Sequence, residues 1–331
     1  MSTDVLSDVL RAVRLTGATY FSVKAADPWA AEAFPAAEVA SRVMPGVEHL
    51  FEYHVMTQGS CWVGIVGEKP IRLETGDVVV FPQGDPHVLS STPGMRGEPA
   101  ISEYDPPVGK QLPFVLRQGG GGEHTIHVVC GFLGCDARPF NPLLATLPRI
   151  LKVSTRGGSG WLEALIQLAV ADSTQGRTGG EIVLARASEL MFVEVVRRYV
   201  ASLPEGHSGW LGGLRDPYVG KALTLLHDRP AKAWTVESLA KEAALSRSAL
   251  AERFNQLVGD TPMQYLTRWR MQLAATLLRA RGASVYEAAS EVGYASEAAF
   301  SRAFKKVVGI SPAAWRERQS DDGGSVGPAG R

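Results

Sequence analysis

Short apolar runs separated by turn residues characterise the first 140 residues of the chain. The runs at 61–66, 77–81 and 125–130 are rich in β-branched residues and are too short for typical helices. Glycine and proline recur between them, and 119–122 is an unbroken run of glycine. Many short strands with frequent turns are typical of an all-β barrel or sandwich, so the pattern predicts such a domain over 1–140.

The spacing of apolar positions becomes helical after residue 141. Segments 142–151, 161–171 and 181–202 have the period of helices, and the last of them has an apolar face. That face consists of Ile182, Leu184, Ala185, Leu190, Val193, Val196 and Val200. The pattern therefore predicts a helical extension over 141–202, which packs either on the barrel or on a second copy of the chain in a homodimer.

The rest of the chain divides into a linker, a helical domain and a tail. Glycine and proline at 203–215 predict the linker, and helical spacing continues over 216–319. Residues 320–331 are rich in glycine and aspartate, which predicts a disordered tail. The predicted fold class is α+β with two domains, an N-terminal β-barrel with a helical extension and a C-terminal all-α domain.

The helical domain contains an internal repeat at an offset of 50 residues. The matching pairs are Ser246 and Ser296, Phe254 and Phe304, Val258 and Val308, Gly259 and Gly309, and Pro262 and Pro312. Upstream, 236–240 matches 285–289 at an offset of 49, so the second copy has one extra residue in its turn. The repeat indicates two related supersecondary units.

Each copy has the sequence features of a helix-turn-helix. A short helix (236–243 or 285–292) precedes a turn, and Gly293 can supply a positive φ in the second turn. A serine N-cap and a terminal glycine bound the next helix: Ser246 and Gly259 in the first copy, Ser296 and Gly309 in the second. Duplication alone could give a plain helical bundle, but two copies in register, joined by one long helix over 262–281, favour tandem helix-turn-helix units that bind DNA.

Charge is distributed unevenly, although the formal net charge of the chain is zero. Residues 1–215 hold 18 Lys and Arg against 22 Asp and Glu, whereas 216–319 hold 15 against 10. The positive excess suits a phosphate backbone and supports double-stranded DNA as the partner. No apolar run is long enough to span a bilayer and the N-terminus lacks a signal-peptide core, so the sequence predicts a cytoplasmic protein without a membrane partner.

Base contacts are expected near the N-terminal end of the second helix in each copy. The candidates are Arg247, Ser248, Ala251 and Glu252 in the first copy, and Glu297, Ala298, Ser301 and Arg302 in the second. Arg302 can make a bidentate contact to guanine or can bind phosphate. Phosphate contacts or salt bridges are expected for Lys305, Lys306, Arg268 and Arg270. The first copy has few bulky base-reading side chains, so we expect the second copy to provide most of the anchoring.

The segment 216–318 resembles the DNA-binding domain of the AraC/XylS family of bacterial regulators. The resemblance is strongest over 293–305, which reads Gly-Tyr-x-Ser-x-x-x-Phe-Ser-Arg-x-Phe-Lys, and extends to Gly309 and Pro312. It covers about a third of the chain and implies a transcription regulator, not an enzyme. In that family a rigid linking helix lets the two recognition helices enter successive major grooves, about 34 Å apart.

The N-terminal segment resembles the cupin-type sensor domains attached to some regulators of this family. Residues 76–87 read Gly, five residues, Pro-x-Gly, two residues and His, ending at His87, and Glu52 with Gly59 matches half of the other cupin motif. The resemblance implies a cupin-like β-barrel that binds a small-molecule effector. A cupin metalloenzyme fused to a DNA-binding domain, or an effector-independent dimeric DNA-binding protein, is the alternative.

Metal-binding residue types are present in the barrel, but their pattern departs from that of cupin enzymes. Those enzymes bind a divalent metal with a His-x-His pair, the glutamate and the later histidine, whereas this chain has Glu48 and His49 at the paired position. The candidates for an effector or metal site are Glu52, His54, His87 and Cys130, with His127 and Cys135 nearby. The alternative is a set of interior polar and thiol groups, so no cofactor is expected beyond a vestigial or structural divalent metal.

Overall fold

The computed structural model describes residues 4–105, 112–120, 125–155, 160–162, 164–165, 178–204, 206–280 and 283–322. They form two compact units, each assembled from separate parts of the chain. We call them the barrel unit (Arg14–Cys135 and Leu147–Ser202) and the helical unit (Met1–Val13, Asp136–Thr146 and Leu203–Arg331). Residues 1–13 and 136–146 therefore group with the DNA-binding segment, not with the barrel segment that they adjoin in sequence.

Two β-sheets make up the barrel unit. The strands are β1 (Thr16–Ala26), β2 (Ala30–Ala33), β3 (His49–Gln58), β4 (Ser60–Ile65), β5 (Ile71–Glu74), β6 (Asp77–Phe81), β7 (His87–Ser90), β8 (Phe114–Gly119), β9 (Ile126–Cys135) and β10 (Leu151–Ser154). One sheet has the order β10-β6-β3-β9-β1-β8, and the other has the order β2-β7-β4-β5. These cupin-like sheets confirm the predicted β-rich N-terminal domain.

The core of the barrel unit contains apolar side chains from both sheets. Met56 and Phe132 of the first sheet belong to the same buried cluster as Val63 and Leu73 of the second. Every residue of β6 is buried, because β3 and β10 cover its two edges and its side chains lie in packed surroundings on both faces. Burial on both faces explains the continuous apolar run at 78–81, which lacks the alternation of a half-exposed strand.

Helices α2 (Ala36–Val43) and α3 (Gly180–Ser202) accompany the sheets. Helix α3 confirms the predicted helix at 181–202, while most of the predicted helix at 161–171 lies outside the described residues. The helix predicted at 142–151 is wrong, because the chain forms a short 3-10 turn at Leu144–Thr146 and then β10, which pairs with β6. Prolines at 142 and 148 disfavour a continuous helix through this segment.

The helical unit contains nine helices within the part of the chain that the structure describes. They are α1 (Val5–Ala12), α4 (Trp210–Arg215), α5 (Val219–Asp228), α6 (Val236–Glu242), α7 (Arg247–Val258), α8 (Pro262–Ala280), α9 (Val285–Glu291), α10 (Glu297–Val308) and α11 (Pro312–Asp322). Helix α4 lies inside the predicted linker, where buried Trp210 donates a hydrogen bond to the Tyr265 hydroxyl. Helix α11 extends into the predicted tail, and residues 323–331 lie outside the described residues.

The long helix α8 joins the two copies of the repeat and contributes to the core of each. Tyr265 packs edge-on against Phe254 of the first copy, with ring centroids 5.8 Å apart. Met271 and Leu278, roughly two and four turns further along, belong to the core cluster of the second copy. None of the described helices is long and apolar enough to cross a membrane.

Candidate nucleic-acid interface and barrel cavity

The first helix of each copy begins with a capping box. Thr235 and Ser238 exchange side-chain and backbone hydrogen bonds at the start of α6. Ser284 and Glu287 do the same at the start of α9. These exchanges satisfy backbone N–H groups that have no partner within the helix. Both helices therefore start at positions fixed by local sequence, ahead of the turns that orient the recognition helices.

In both copies, the turn after the first helix has a residue with left-handed backbone at the same position. Gly293 has a φ of +81°, as the sequence predicted, and Ala244 occupies the matching position with a φ of +60°. The following amide closes each turn in the same way, from Leu245 to the Ala240 carbonyl and from Tyr294 to the Ala289 carbonyl. The first copy thus keeps the geometry of the turn without a glycine, at a cost in backbone strain.

The predicted caps of the two recognition helices, α7 and α10, are confirmed. The Ser246 hydroxyl accepts from the Ala249 amide, and the Ser296 hydroxyl accepts from the Ala299 amide. Gly259 and Gly309 end the helices with left-handed backbone. One face of each helix is buried, through Leu250 and Phe254 in α7 and through Phe300 and Phe304 in α10. The opposite face of each helix remains available for DNA.

The candidate base contacts of the first copy lie on the available face of α7. Arg247, Ser248 and Glu252 are exposed, and Ala251 is half-buried. Arg247 forms an ion pair with Glu237 of α6 at 2.9 Å, and Arg253 on the same helix pairs with Asp216. Both arginines of this helix therefore have an acidic neighbour that competes with DNA.

The second recognition helix presents cations without such neighbours. Arg302, Lys305 and Lys306 are exposed, and no ion pair or hydrogen bond of their side chains is found among the described residues. The remaining candidates, Glu297 and Ala298, are exposed, while Ser301 is half-buried. Helix α10 therefore offers three cationic side chains to a phosphate backbone, because none of them must first leave a carboxylate within the described chain.

Two of the arginines of α8, Arg268 and Arg270, make contacts within the helical unit. Arg268 forms a salt bridge with Asp260 at 2.7 Å and lies over the Phe140 ring, with 4.3 Å to its centroid. Arg270 donates hydrogen bonds to the carbonyls of Pro230 and Lys232. Of the two roles that the sequence left open for these arginines, the structure shows the intramolecular one.

The barrel unit brings three of its four candidate residues into one buried cluster. Glu52 and His54 project from β3, two residues apart, and His87 begins β7 of the other sheet. The Nε2 atoms of the two histidines are 2.6 Å apart. One oxygen of Glu52 lies 3.4 Å from Nε2 of His87 and 3.9 Å from Nε2 of His54. These three residues are called the barrel triad below.

Local structure positions each member of the barrel triad. The alternation of β3 puts Glu52 and His54 on the same face. Gly84 has a φ of +70°, and a Cβ there would lie 2.9 Å from the Leu50 carbonyl oxygen, so the turn before His87 requires glycine. The His87 ring stacks on Phe81 at 3.8 Å, and its Nδ1 lies 2.8 Å from the Asp85 carbonyl oxygen.

Burial disfavours the charged forms of all three side chains. It raises the pKa of Glu52 to about 8 and lowers the pKa of His87 to about 4. The pKa of His54 is also lowered, by burial first and by His87 second. In their uncharged forms the three side chains bring hydrogen-bond donors and acceptors close to one another.

A cavity of about 270 Å³ opens next to the barrel triad. Glu52, His54 and Cys130 line it together with the aromatic rings of Trp29 and Tyr104. Its other charged lining residues are Glu98, Glu103 and Glu32, the last of which is paired with Arg96, and within the described part of the chain no Lys or Arg lines it. Cys130 lines the cavity but does not belong to the barrel triad. His127 and Cys135 also lie outside the barrel triad.

Sequence reasoning missed most of the cavity lining. Trp29 sits before β2, and Glu98 and Glu103 belong to a segment without regular strand spacing. No hydrophobic periodicity or sequence motif identifies these residues, because they come close to β3 and β9 only through the packing of the two sheets. The buried Trp29 ring, whose Nε1 has no partner among the described residues, is the one aromatic signal in that stretch.

Comparison with known proteins assigns both parts of the chain. A family model described as a cupin matches residues 4–201, and one described as a helix-turn-helix domain matches 239–318. Proteins named AraC-like transcription regulators from Streptomyces lividans and Streptomyces antibioticus are 32% and 33% identical, over 95% of this chain and 98% of their own lengths. The regulator AlkR of Acinetobacter baylyi is 27% identical over 95% of this chain and 99% of its own length.

Proposed function

Because this chain belongs to the AraC-like transcription regulators with a cupin domain, we propose that its two recognition helices read one promoter site together while the barrel cavity binds the controlling effector. The chain is a DNA-binding regulator, as its helix-turn-helix domain and its relatives show. One observation supports joint reading above all. The two copies share caps, turn and terminal glycine, and both pack on the single helix α8.

The unequal pairing of the cations suggests different roles for the two recognition helices. Helix α10 supplies Arg302, Lys305 and Lys306 to phosphates and base edges, whereas Arg247 of α7 must first leave Glu237. Exchanging an exposed ion pair for a phosphate contact gains less than using a free cation, since the carboxylate then loses its partner. We assign anchoring to α10 and additional discrimination among sites to α7.

Selection of genomic DNA fragments by the purified full-length chain tests this function. We expect enrichment of fragments that share a motif with two parts about 10 base pairs apart, one for each recognition helix. For a variant that removes a cation from a recognition helix, such as Arg302→Ala, the charge-matched control is Lys221→Ala. It removes an exposed cation of α5 outside both recognition helices. Enrichment that does not depend on sequence, in repeated selections at physiological salt, would contradict the proposal.

The cavity supports an effector that is neutral or cationic. Its aromatic walls provide apolar contact, and the carboxylates of Glu98 and Glu103 in its lining would repel an anion, whereas that of Glu32 is paired with Arg96. Thermal unfolding of the chain with panels of small amines, alcohols and carboxylic acids tests this choice, since a ligand that binds only the folded state raises the unfolding temperature. Stabilisation by acids alone would contradict it, and so would no stabilisation by any class.

A homodimer through α3 is the assembly that we propose. Ile182, Val183 and Leu190 are exposed on this helix, at 58%, 42% and 52% of their full accessibility. Leu184 and Val196 of the same helix are buried within the barrel unit, so α3 has apolar side chains on more than the face it buries. Sedimentation of wild-type and Leu190→Glu chains measures the dimer, and equal association of both would contradict this interface.

We propose no catalytic reaction for the barrel. The relatives are named as regulators, and the barrel lacks the His-x-His pair that cupin enzymes use. The role that these observations support is ligand binding that changes the affinity of the helical unit for DNA. Such an effector must bind the DNA-competent state and the other state with different free energies.

A further inference from the structure

We propose that Glu52, His54 and His87 bind one divalent transition-metal ion beside the barrel cavity. The inference deepens the proposed function of the barrel. Only the regulatory effect of a bound metal rests on that function. Metal binding itself is a separate property of the folded chain and is measured without DNA. The donor set differs from that of cupin enzymes, because His54 follows the glutamate where those enzymes have a pair of histidines before it.

The three donor atoms converge from opposite sheets. Glu52 and His54 come from β3, and His87 comes from β7. Their pairwise distances are 2.6, 3.4 and 3.9 Å. Among the described residues, this is the group of at least three such side chains whose ligand atoms lie within 4.8 Å of one another.

The spacing of the donors fits a metal ion after small side-chain shifts. Bonds of about 2.0–2.1 Å from zinc to histidine nitrogen place neighbouring donors roughly 3 Å apart. The distances in the barrel triad lie on both sides of that value, so the two imidazoles must separate and the carboxylate must approach, each by less than about 1 Å. Packing against Phe81 sets the plane of the His87 ring while leaving its Nε2 edge toward the other donors.

An unpartnered polar atom also points to a missing ligand. The Oε1 atom of Glu52, whose Oε2 faces the two histidines, is buried and has no hydrogen-bond partner among the described residues. A buried carboxylate without a cation or donors is unfavourable, and a divalent ion would supply the compensating charge. Nδ1 of His87 lies at hydrogen-bond distance from the Asp85 carbonyl, and when it donates there the lone pair on Nε2 faces the triad.

The chemistry of the donors selects the class of metal. Two imidazole nitrogens and one carboxylate suit zinc, cobalt, nickel or ferrous iron, whereas magnesium and calcium prefer oxygen ligands alone. Three protein ligands leave at least one coordination position, and Glu52 and His54 also line the cavity. The carboxylates of Glu98 and Glu103 in the cavity lining would attract a cation. A bound ion would therefore face the cavity in which we place the effector.

Titration of the chelator-stripped, full-length chain with Co²⁺ and Zn²⁺ tests the site. Bound metal is measured by elemental mass spectrometry after gel filtration, affinity by competition with a chromogenic chelator, and donor type by the visible spectrum of Co²⁺. The variants are Glu52→Gln and His87→Gln. Two controls retain the barrel triad: His127→Gln, which removes another barrel histidine, and Cys130→Ser, which removes the thiol at the cavity wall. Circular dichroism establishes that each chain is folded.

We expect one equivalent of metal per wild-type chain and a Co²⁺ spectrum of nitrogen and oxygen donors. Loss of a group that hydrogen-bonds to a metal ligand weakens metal sites by about 10- to 100-fold, so loss of a ligand should weaken this one by at least about 100-fold. Both controls should keep the wild-type stoichiometry. Failure of the folded, stripped wild type to bind stoichiometric metal overturns the proposal even if a variant misfolds. Binding by His87→Gln as tight as wild type, or a thiolate-to-cobalt band lost in Cys130→Ser, overturns it as well.

DNA selection by the same stripped chain separates this inference from the proposed function. If the chain selects a two-part motif but binds no metal, the metal site is wrong and DNA reading stands. If it binds one metal but selects no motif, the metal site stands and the proposed reading of DNA is wrong.

Discussion

The turns of the two helix-turn-helix copies respond differently to a single methyl group. Gly293 and Ala244 occupy matching positions with φ of +81° and +60°. A non-glycine residue pays about 1–2 kcal/mol in this left-handed region, whereas glycine costs about 0.5–1 kcal/mol in chain entropy. The first copy thus already carries the backbone strain that the second avoids.

Opposite substitutions should therefore change stability in opposite directions. A Cβ on Gly293 would lie 2.3 Å from the Ala231 carbonyl oxygen, so Gly293→Ala adds about 1–3 kcal/mol of steric strain to the backbone term. After the entropy gained by alanine, we expect a loss of about 2–4 kcal/mol in the second copy. Ala244→Gly relieves strain at the cost of entropy, so we expect a gain of about 0.5–1 kcal/mol in the first copy.

Hydrogen exchange of the full-length chain, resolved by peptide mass spectrometry, measures both effects where they occur. Amides of α9 and α10 should exchange roughly 30- to 700-fold faster in Gly293→Ala, and those of α6 and α7 about 2- to 5-fold slower in Ala244→Gly. The barrel unit should be unchanged in both variants and serves as the internal control. The same sign for the two substitutions, or a change below about 0.5 kcal/mol for Gly293→Ala, would refute the reasoning.

Three further outcomes follow from the helical unit. Arg302→Ala should weaken specific DNA binding by about 1–3 kcal/mol in fluorescence anisotropy, with Arg247→Ala costing less because that arginine is paired with Glu237, and an equal loss in both would contradict the assignment. Asp136→Ala removes the partner of buried Arg279 and should destabilise the helical unit by about 3–5 kcal/mol in urea, while Asp136→Leu with Arg279→Met should restore most of the loss; failure of the pair to recover would point to other roles for these side chains. Burial lowers the pKa of His227 below 6.5, so the folded unit binds fewer protons than the unfolded chain and loses stability as pH falls below about 6.5; His227→Gln should flatten that decline, and an unchanged pH profile would contradict it.

Local sequence was sufficient to predict the two helix-turn-helix units of the DNA-binding domain. Caps and terminal glycines act within a few residues, so Ser246, Ser296, Gly259 and Gly309 identified both recognition helices. Ala244 escaped prediction because nothing in its own identity signals a positive φ. It is recognised only by alignment with Gly293 at the offset of 49 residues that holds for the first helices, whereas the recognition helices align at an offset of 50.

Features that depend on distant parts of the chain were predicted less well. The two-residue spacing of Glu52 and His54 placed them on one face, but their approach to His87 depends on how two sheets face each other. The grouping of 136–146 with the helical unit depends on side chains far along the chain, such as Gln272, which accepts from the Phe140 amide. The helix predicted at 142–151 was wrong because the prediction followed the apolar spacing and gave too little weight to two prolines. The pairing of β10 with β6 is a contact between distant parts of the chain, which this spacing does not indicate.

The proposed function requires that two recognition helices on one linking helix read one DNA site. Methylation interference on a selected genomic fragment tests it most directly, because guanine modification in the major groove blocks contact with an inserted helix. For the full-length chain we expect two clusters of interference on the same face of the duplex, about 10–10.5 base pairs apart, and loss of one cluster in Arg302→Ala. A single cluster for the wild-type chain, or two clusters that both persist in Arg302→Ala, would contradict the account.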